Sequence, residues 1–198
     1  MIWFSSDHHF GHRNCIIYDQ RPFNSVEEMD FYLIKRWNEK VHPEDTVYYL
    51  GDFSLSKDPI LNFLPYLNGE KHLICGNHDH PHPVRSKKPD KRKRMADLYL
   101  ESGFKSIELE SRIDINGTPV RLHHMPYRYT RDHAITERYS DFRPVISEER
   151  DWLLHGHVHT HWKQKGRMIN VGCMHWDWAP VSIDQISVLI DRGPANRE

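Results

Sequence analysis

The sequence predicts an α/β protein. Two observations carry this. Short apolar strand candidates alternate with segments at helical spacing, and the first three of those strands each end on a polar turn holding an aspartate, asparagine or histidine. In such folds reactive groups collect beyond the carboxyl ends of the strands. The pattern that predicts the fold therefore also predicts where the chemistry sits.

Taken in order, Ile2 to Ser5 reads as a buried strand leading into Ser6-Asp7-His8-His9. Ser25 and Glu28 have the spacing of a capping box, and Val26, Met29, Leu33, Trp37 and Val41 trace one face of the helix that follows. Thr46 to Leu50 is a second strand, ending at Gly51-Asp52. Ile60 to Leu67 reads as helical and stops near Asn68-Gly69. His72 to Cys75 is a third strand, ending at Gly76-Asn77-His78-Asp79. Met95, Leu98 and Tyr99 mark a short helix that ends by Gly103. Ile107 to Ile115 and Thr118 to His124 flank Asn116-Gly117, a two-residue hairpin signal. In the second of these strands Val120, Leu122 and His124 share one face, with Arg121 and His123 on the other. Residues 127–151 are polar and aromatic without clear periodicity. Trp152 to Leu154 ends at His155-Gly156-His157-Val158-His159, and Met168 to Val171 and Val181 to Ile190 read as closing strands. One domain over residues 1–191 is expected, with a frayed tail at 192–198.

Lys and Arg total 27 against 28 Asp and Glu, a net charge of −1, which excludes bulk cationic binding of nucleic acid. Cys15, Cys75 and Cys173 are odd in number and widely spaced. They read as free thiols, not as a disulfide framework or a paired zinc motif. No apolar run is long enough to span a bilayer and no signal sequence opens the chain, so the expected location is the cytoplasm and no membrane partner is expected. The anomaly is histidine, with 16 residues set in clusters, and histidine is the commonest metal ligand.

The strand-end groups are Asp7 and His9, Asp52, Asn77 and His78, His124, and His157 and His159. Mixed carboxylate and imidazole donors suit borderline divalent ions, Mn²⁺ first, with Fe, Co, Ni and Zn as alternatives. Five clusters are too many for one tetrahedral ion and suit two. Asp7-x-His9, Gly51-Asp52, Gly76-Asn77-His78-Asp79, His124 before Met125-Pro126, and Gly156-His157-x-His159 occur in the order found in calcineurin-like metallophosphoesterases, which the chain resembles over residues 7–159. The resemblance implies a sandwich of two mixed β-sheets flanked by helices, in α-β-β-α layers. It also implies ligand roles: Asp7, His9 and His159 on one ion, Asn77, His124 and His157 on the other, and Asp52 bridging both.

The implied function is hydrolysis of a phosphate ester by water activated between the ions, with His78 as general acid. The phosphodiesterase reading stands ahead of the monoesterase one and of an inactive interaction scaffold. Asp79 is expected to help keep His78 charged. Asn77, His12 and Arg128 are the candidate substrate contacts. Other histidines beside the motifs, His8, His123 and His155 among them, are read as supporting or solvated groups. Arg85, Lys87, Lys88, Lys91, Arg92, Lys93 and Arg94 form a basic run, and Tyr127, Arg128, Tyr129, Arg131, Arg138, Tyr139, Phe142 and Arg143 interleave aromatics with cations. Both fit a nucleotide or short oligonucleotide. Where serine/threonine protein phosphatases carry a further Asp-Arg-Gly after Gly-Asp, this chain has Phe53-Ser54-Leu55-Ser56, which argues against that activity.

Overall fold

The computed structural model describes residues 1–128, 139–146 and 151–195. Its first sheet is built from β1 (Ile2–Ser5), β2 (Thr46–Tyr49), β3 (Glu70–Ile74), β4 (Phe104–Glu108) and β10 (Val181–Ser182), in the order β10-β1-β2-β3-β4. β1 to β4 run parallel, and β10 closes the edge antiparallel to β1. The second sheet holds β5 (Glu110–Ile115), β6 (Thr118–His123), β7 (Trp152–His155), β9 (Met168–Asn170) and β8 (Gln164–Lys165), in the order β5-β6-β7-β9-β8. There β6, β7 and β9 are parallel and the two edge strands antiparallel.

Alternation along the strands makes the sandwich. Phe4, Leu50 and Ile74 point to the inner face, where they meet Val120, Leu122, Trp152, Leu154 and Ile169 of the second sheet. Trp3, Val47, Tyr49 and Leu73 point to the outer face and pack on Met29, Leu33 and Trp37 of α2 (Val26–Asn38), Ile60 of α3 (Asp58–Asn62) and Tyr99 of α4 (Pro89–Ser102). The fold is therefore α/β, with two mixed sheets flanked by helices. All three cysteines are buried and free. Among the described residues no helix is long and apolar enough to cross a membrane.

Several local expectations change, among them the helix over 60–67, which ends at Asn62 and is followed by a separate turn at Leu64–Tyr66. Residues 181–190 are not one strand. The chain leaves β10 after Ser182 and turns into α5 (Ile183–Asp191), because Ser182 and Gln185 form a reciprocal capping box and Ile186 and Ile190 fall at helical spacing on the core. Residues 107–115 divide at Leu109 into β4 and β5, which belong to different sheets. The helix ending at Gly103 is longer than expected. It starts at Pro89, whose missing N–H costs nothing in a first turn, and it takes in most of the basic run. At α2, Ser25 caps the Glu28 N–H, but the Glu28 carboxylate bonds Asn24 instead of completing the box. A short helix absent from the sequence reading, α1 (Arg13–Tyr18), follows the first polar turn.

Candidate metal centre

The parallel strands of both sheets end on one side, and their turns are stitched together there. Asp7 N–H donates to Gly51 O at 3.0 Å, His9 N–H to Asp52 O at 3.2 Å and Gly156 N–H to His124 O at 2.9 Å, while Cys173 N–H reaches Ser6 O at 3.1 Å. The approach is close enough to exclude side chains. A Cβ on Gly76 would lie 2.2 Å from Asp52 Oδ1, and one on Gly156 would lie 2.3 Å from Asp7 Oδ2. The motif glycines are thus steric requirements of the carboxylates beside them. Asp7, His9, Asp52, His157 and His159 all take left-handed backbone, with φ between 43° and 70°. Such backbone costs on the order of 1 kcal/mol per residue and collects at functional sites.

These turns bring the predicted ligands together in a buried cluster. Donor atoms of Asp7, His9 and His159 lie within 4.8 Å of one another, and so do those of Asp7, Asp52 and His124. Asp7 belongs to both groups. Asp52 also faces both, with Oδ2 3.4 Å from His124 Nε2 and 3.8 Å from His9 Nε2. Asn77 Oδ1 lies 3.1 Å from His124 Nε2. The His157 ring packs edge-on to His124 at 5.3 Å, and its backbone N–H donates to the Asp7 carboxylate.

The outer bonds of two rings fix their protons. His124 Nδ1 is 2.7 Å from the Leu50 carbonyl, which can only accept, so Nδ1 carries the hydrogen. His159 Nδ1 is 2.7 Å from Asp19 Oδ1 and is assigned its hydrogen in the same way. When neutral, each ring therefore turns a bare Nε2 lone pair inward. At His124 that lone pair meets the oxygens of Asn77 and Asp52. At His159 it meets His9 Nε2 at 3.1 Å and Asp7 Oδ1 at 3.7 Å. Buried acceptors facing acceptors call for a cation, so the donor set fits divalent metal.

At His124 a proton can play the same part as a metal would. Burial alone would lower the His124 pKa, but the Asp52 and Asp7 carboxylates overcome it and push it up to about 9. Burial disfavours charge on Asp52 too, yet His124, His78 and His9 hold its carboxyl well below the usual range. Burial and the His159 charge keep His9 well below an ordinary imidazole. Burial raises Asp7 despite its histidine neighbours.

The other predicted residues divide. His78 stands at the cleft with its side chain 36% exposed and Nε2 4.0 Å from Asp52 Oδ2. Burial lowers its pKa, partly offset by Asp52. His12 lines the same cleft, its ring 6.1 Å from His9. Two assignments shift. The Asp79 carboxylate accepts the N–H groups of Asp52, Phe53 and Gly76 at 2.8–3.0 Å, so it joins two ligand turns instead of charging His78. Burial and the Asp52 charge push it up to about 7. Arg128 is not among the residues lining the cleft. Its Nε donates to Ser140 O at 3.0 Å, turning the guanidinium toward residues 140–141.

His123 bonds the Met125 backbone, which separates its role from that of His124. His8 and His155 are buried against the Tyr49 hydroxyl and the Gly156 carbonyl. Tyr129, Arg131 and Arg138 lie outside the described residues. Sequence reading missed Asp19 and Arg21 beneath the site and Tyr18 on the cleft wall, whereas Tyr139 of the aromatic and cationic stretch does line the cleft. The cleft encloses about 350 Å³.

No family model matches the chain. An uncharacterized protein of Methanocaldococcus jannaschii is 34% identical over 206 residues, covering 99% of this chain and 94% of that protein. The Gene 66 proteins of two Mycobacterium phages are 32% and 33% identical, each over 96% of this chain and 96% and 93% of their own lengths. Among solved structures, a protein of unknown function from Aquifex aeolicus superposes with TM-score 0.70 at 29% identity, covering 96% of this chain and 98% of that one. A novel archaeal phosphodiesterase is less similar, with TM-score 0.48 and 16% identity over 86% of this chain and 81% of that one. At such identity over nearly its whole length, the chain belongs to one family with the Methanocaldococcus jannaschii protein and the phage Gene 66 proteins.

Proposed function

We propose that the chain is a dinuclear metal-dependent phosphoester hydrolase of the calcineurin-like metallophosphoesterase type, acting on a nucleotide-sized phosphodiester. The observation that carries the reading is the convergence of buried lone pairs. His124 Nε2, Asn77 Oδ1 and Asp52 Oδ2 face one another, as do His159 Nε2, His9 Nε2 and Asp7 Oδ1. In this reading Asp7, His9 and His159 hold one divalent ion, and Asn77, His124 and His157 hold the other. Asp52 lies between the two sets. Mn²⁺ heads the candidates because the donors are oxygen and imidazole without thiolate. Divalent ions there supply Lewis-acid polarisation of a phosphoryl oxygen and neutralise its charge.

The protein's own groups do the rest. His78 is partly exposed beside Asp52, with its backbone N–H anchored on Asp52 Oδ1 at 2.8 Å, and it is placed to deliver a proton to the leaving oxygen. His12 and Asn77 reach the same cleft and can bond the substrate's oxygens. A cleft of about 350 Å³ is at the small end of ligand sites and favours a nucleotide or a strand end over a long duplex. The test is metal analysis of purified protein, followed by hydrolysis of aryl mono- and diesters, cyclic nucleotides and short RNA with added Mn²⁺. Two ions per chain and diester turnover are expected. Absence of bound metal, or of turnover on every ester, overturns the reading.

A further inference from the structure

We infer that Asp19 and Arg21 are positioning residues that hold His159 in its metal-ligating tautomer and clamp the Asp7–His9 turn. The inference rests on the metal-centre reading above. Neither residue belongs to a ligand motif, and Asp19 is 140 positions from the histidine it touches.

Asp19 closes the carboxyl end of α1, where its N–H bonds Cys15 O at 3.0 Å. One carboxylate oxygen accepts His159 Nδ1–H at 2.7 Å, and the other accepts both Nε and Nη2 of Arg21 at 3.1 and 3.0 Å. Arg21 also donates from Nη1 to His8 O at 2.8 Å and from Nη2 to Asp7 O at 3.0 Å, under the ring of Trp178. One buried guanidinium thus touches the turn that carries two ligands and the carboxylate that orients a third.

A buried ion pair is a poor device for stability, since its desolvation cost rivals its attraction and apolar replacements are often neutral or better. Its geometry does what apolar packing cannot. An ionised carboxylate accepts only, so it keeps the proton on Nδ1 and leaves Nε2 free for a cation. Arg21 in turn keeps Asp19 ionised and aimed. His124 needs no such pair, because the Leu50 carbonyl does the same work.

The test is Asp19→Asn. Arg21 still needs an acceptor, so the amide oxygen turns to it and the NH₂ group faces His159 Nδ1. The ring proton then moves to Nε2. In long-range ¹H–¹⁵N spectra of metal-free protein recorded above pH 9, where His124 is neutral, His159 is expected to change from the Nδ1–H to the Nε2–H tautomer, while His124 keeps its own and serves as the folded-state reference. In Mn²⁺ titrations one of the two ions is expected to lose about 10- to 100-fold in affinity, with the other unchanged. The paired replacement Asp19→Leu with Arg21→Met is expected to keep the melting temperature and lose the same ion. An unchanged His159 tautomer, or equal loss of both ions, overturns the proposal. Should wild-type protein bind no metal, the metal reading fails, while the tautomer still decides what Asp19 does.

Discussion

The two halves of the centre are oriented by different means. On one side His124 hangs from the neutral carbonyl of Leu50, at the end of β2. On the other His159 hangs from a carboxylate that is itself paired with a buried arginine. The first support is backbone, and it persists whatever side chains surround it. The second is built entirely of side chains and can be removed one group at a time. A ligand's orientation can thus come at no cost in charge where a strand end happens to supply a carbonyl. Elsewhere the chain must bring in an ion pair.

The largest effect should come from erasing what the halves share. Asp52→Asn is expected to weaken both ions together and reduce turnover about a thousandfold, equivalent to several kcal/mol of lost charge stabilisation. Metal analysis beside kinetics checks it, and retention of one full-affinity ion would mean the halves are independent. Next comes His78→Ala. Both ions should remain, while turnover falls about 10²- to 10⁴-fold for esters with poor leaving groups and much less for good ones. Equal losses for the two classes would remove its acid role.

A smaller effect separates the halves by pH. In metal-free protein His124 has its pKa raised from 6.5 to about 9. Its stabilising contribution is therefore complete below pH 6.5 and lost as pH rises through 9. Melting temperatures of metal-free protein should fall across that window, and His124→Gln should flatten the fall. The same proton competes with metal, so affinity at this half should rise with pH until about 9. The smallest effect lies outside both halves. Asp45 accepts from the N-terminal amine at 2.5 Å, from His42 N–H at 2.9 Å and from Trp3 Nε1 at 2.9 Å, and its pKa falls from 3.8 to about 2. Its contribution is present above pH 3.8 and lost as pH falls through 2, so Asp45→Asn should blunt acid unfolding in that range and leave metal binding untouched.

What could be read in advance follows the range of the interactions. The strands that carry Asp7, Asp52, Asn77, His124 and His157 are local patterns, and their polar ends are visible because apolar runs stop there. His124 could be told from His123 because strand alternation assigns faces. Asp19 and Arg21 could not be found, since nothing near residue 20 shows that His159 will arrive above it. Residues 181–190 misled because β-branched isoleucines and valines suit a strand, while the Ser182–Gln185 cap that starts α5 has to be weighed against them. Asp79 looked like a partner of His78 by adjacency, but its carboxylate is turned to backbone N–H groups on the other side.

That last contact has a consequence for ion choice. Because one carboxylate holds the turn after β2 and the turn after β3, Asp52 and Asn77 sit on a single rigid block. The spacing on that wall is expected to change less from ion to ion than the spacing on the opposite wall, formed by the turns that carry His9 and His159. Discrimination between small and large divalent ions should therefore reside there, and exchanging residues on the Asp79 block should change how much metal binds without changing which.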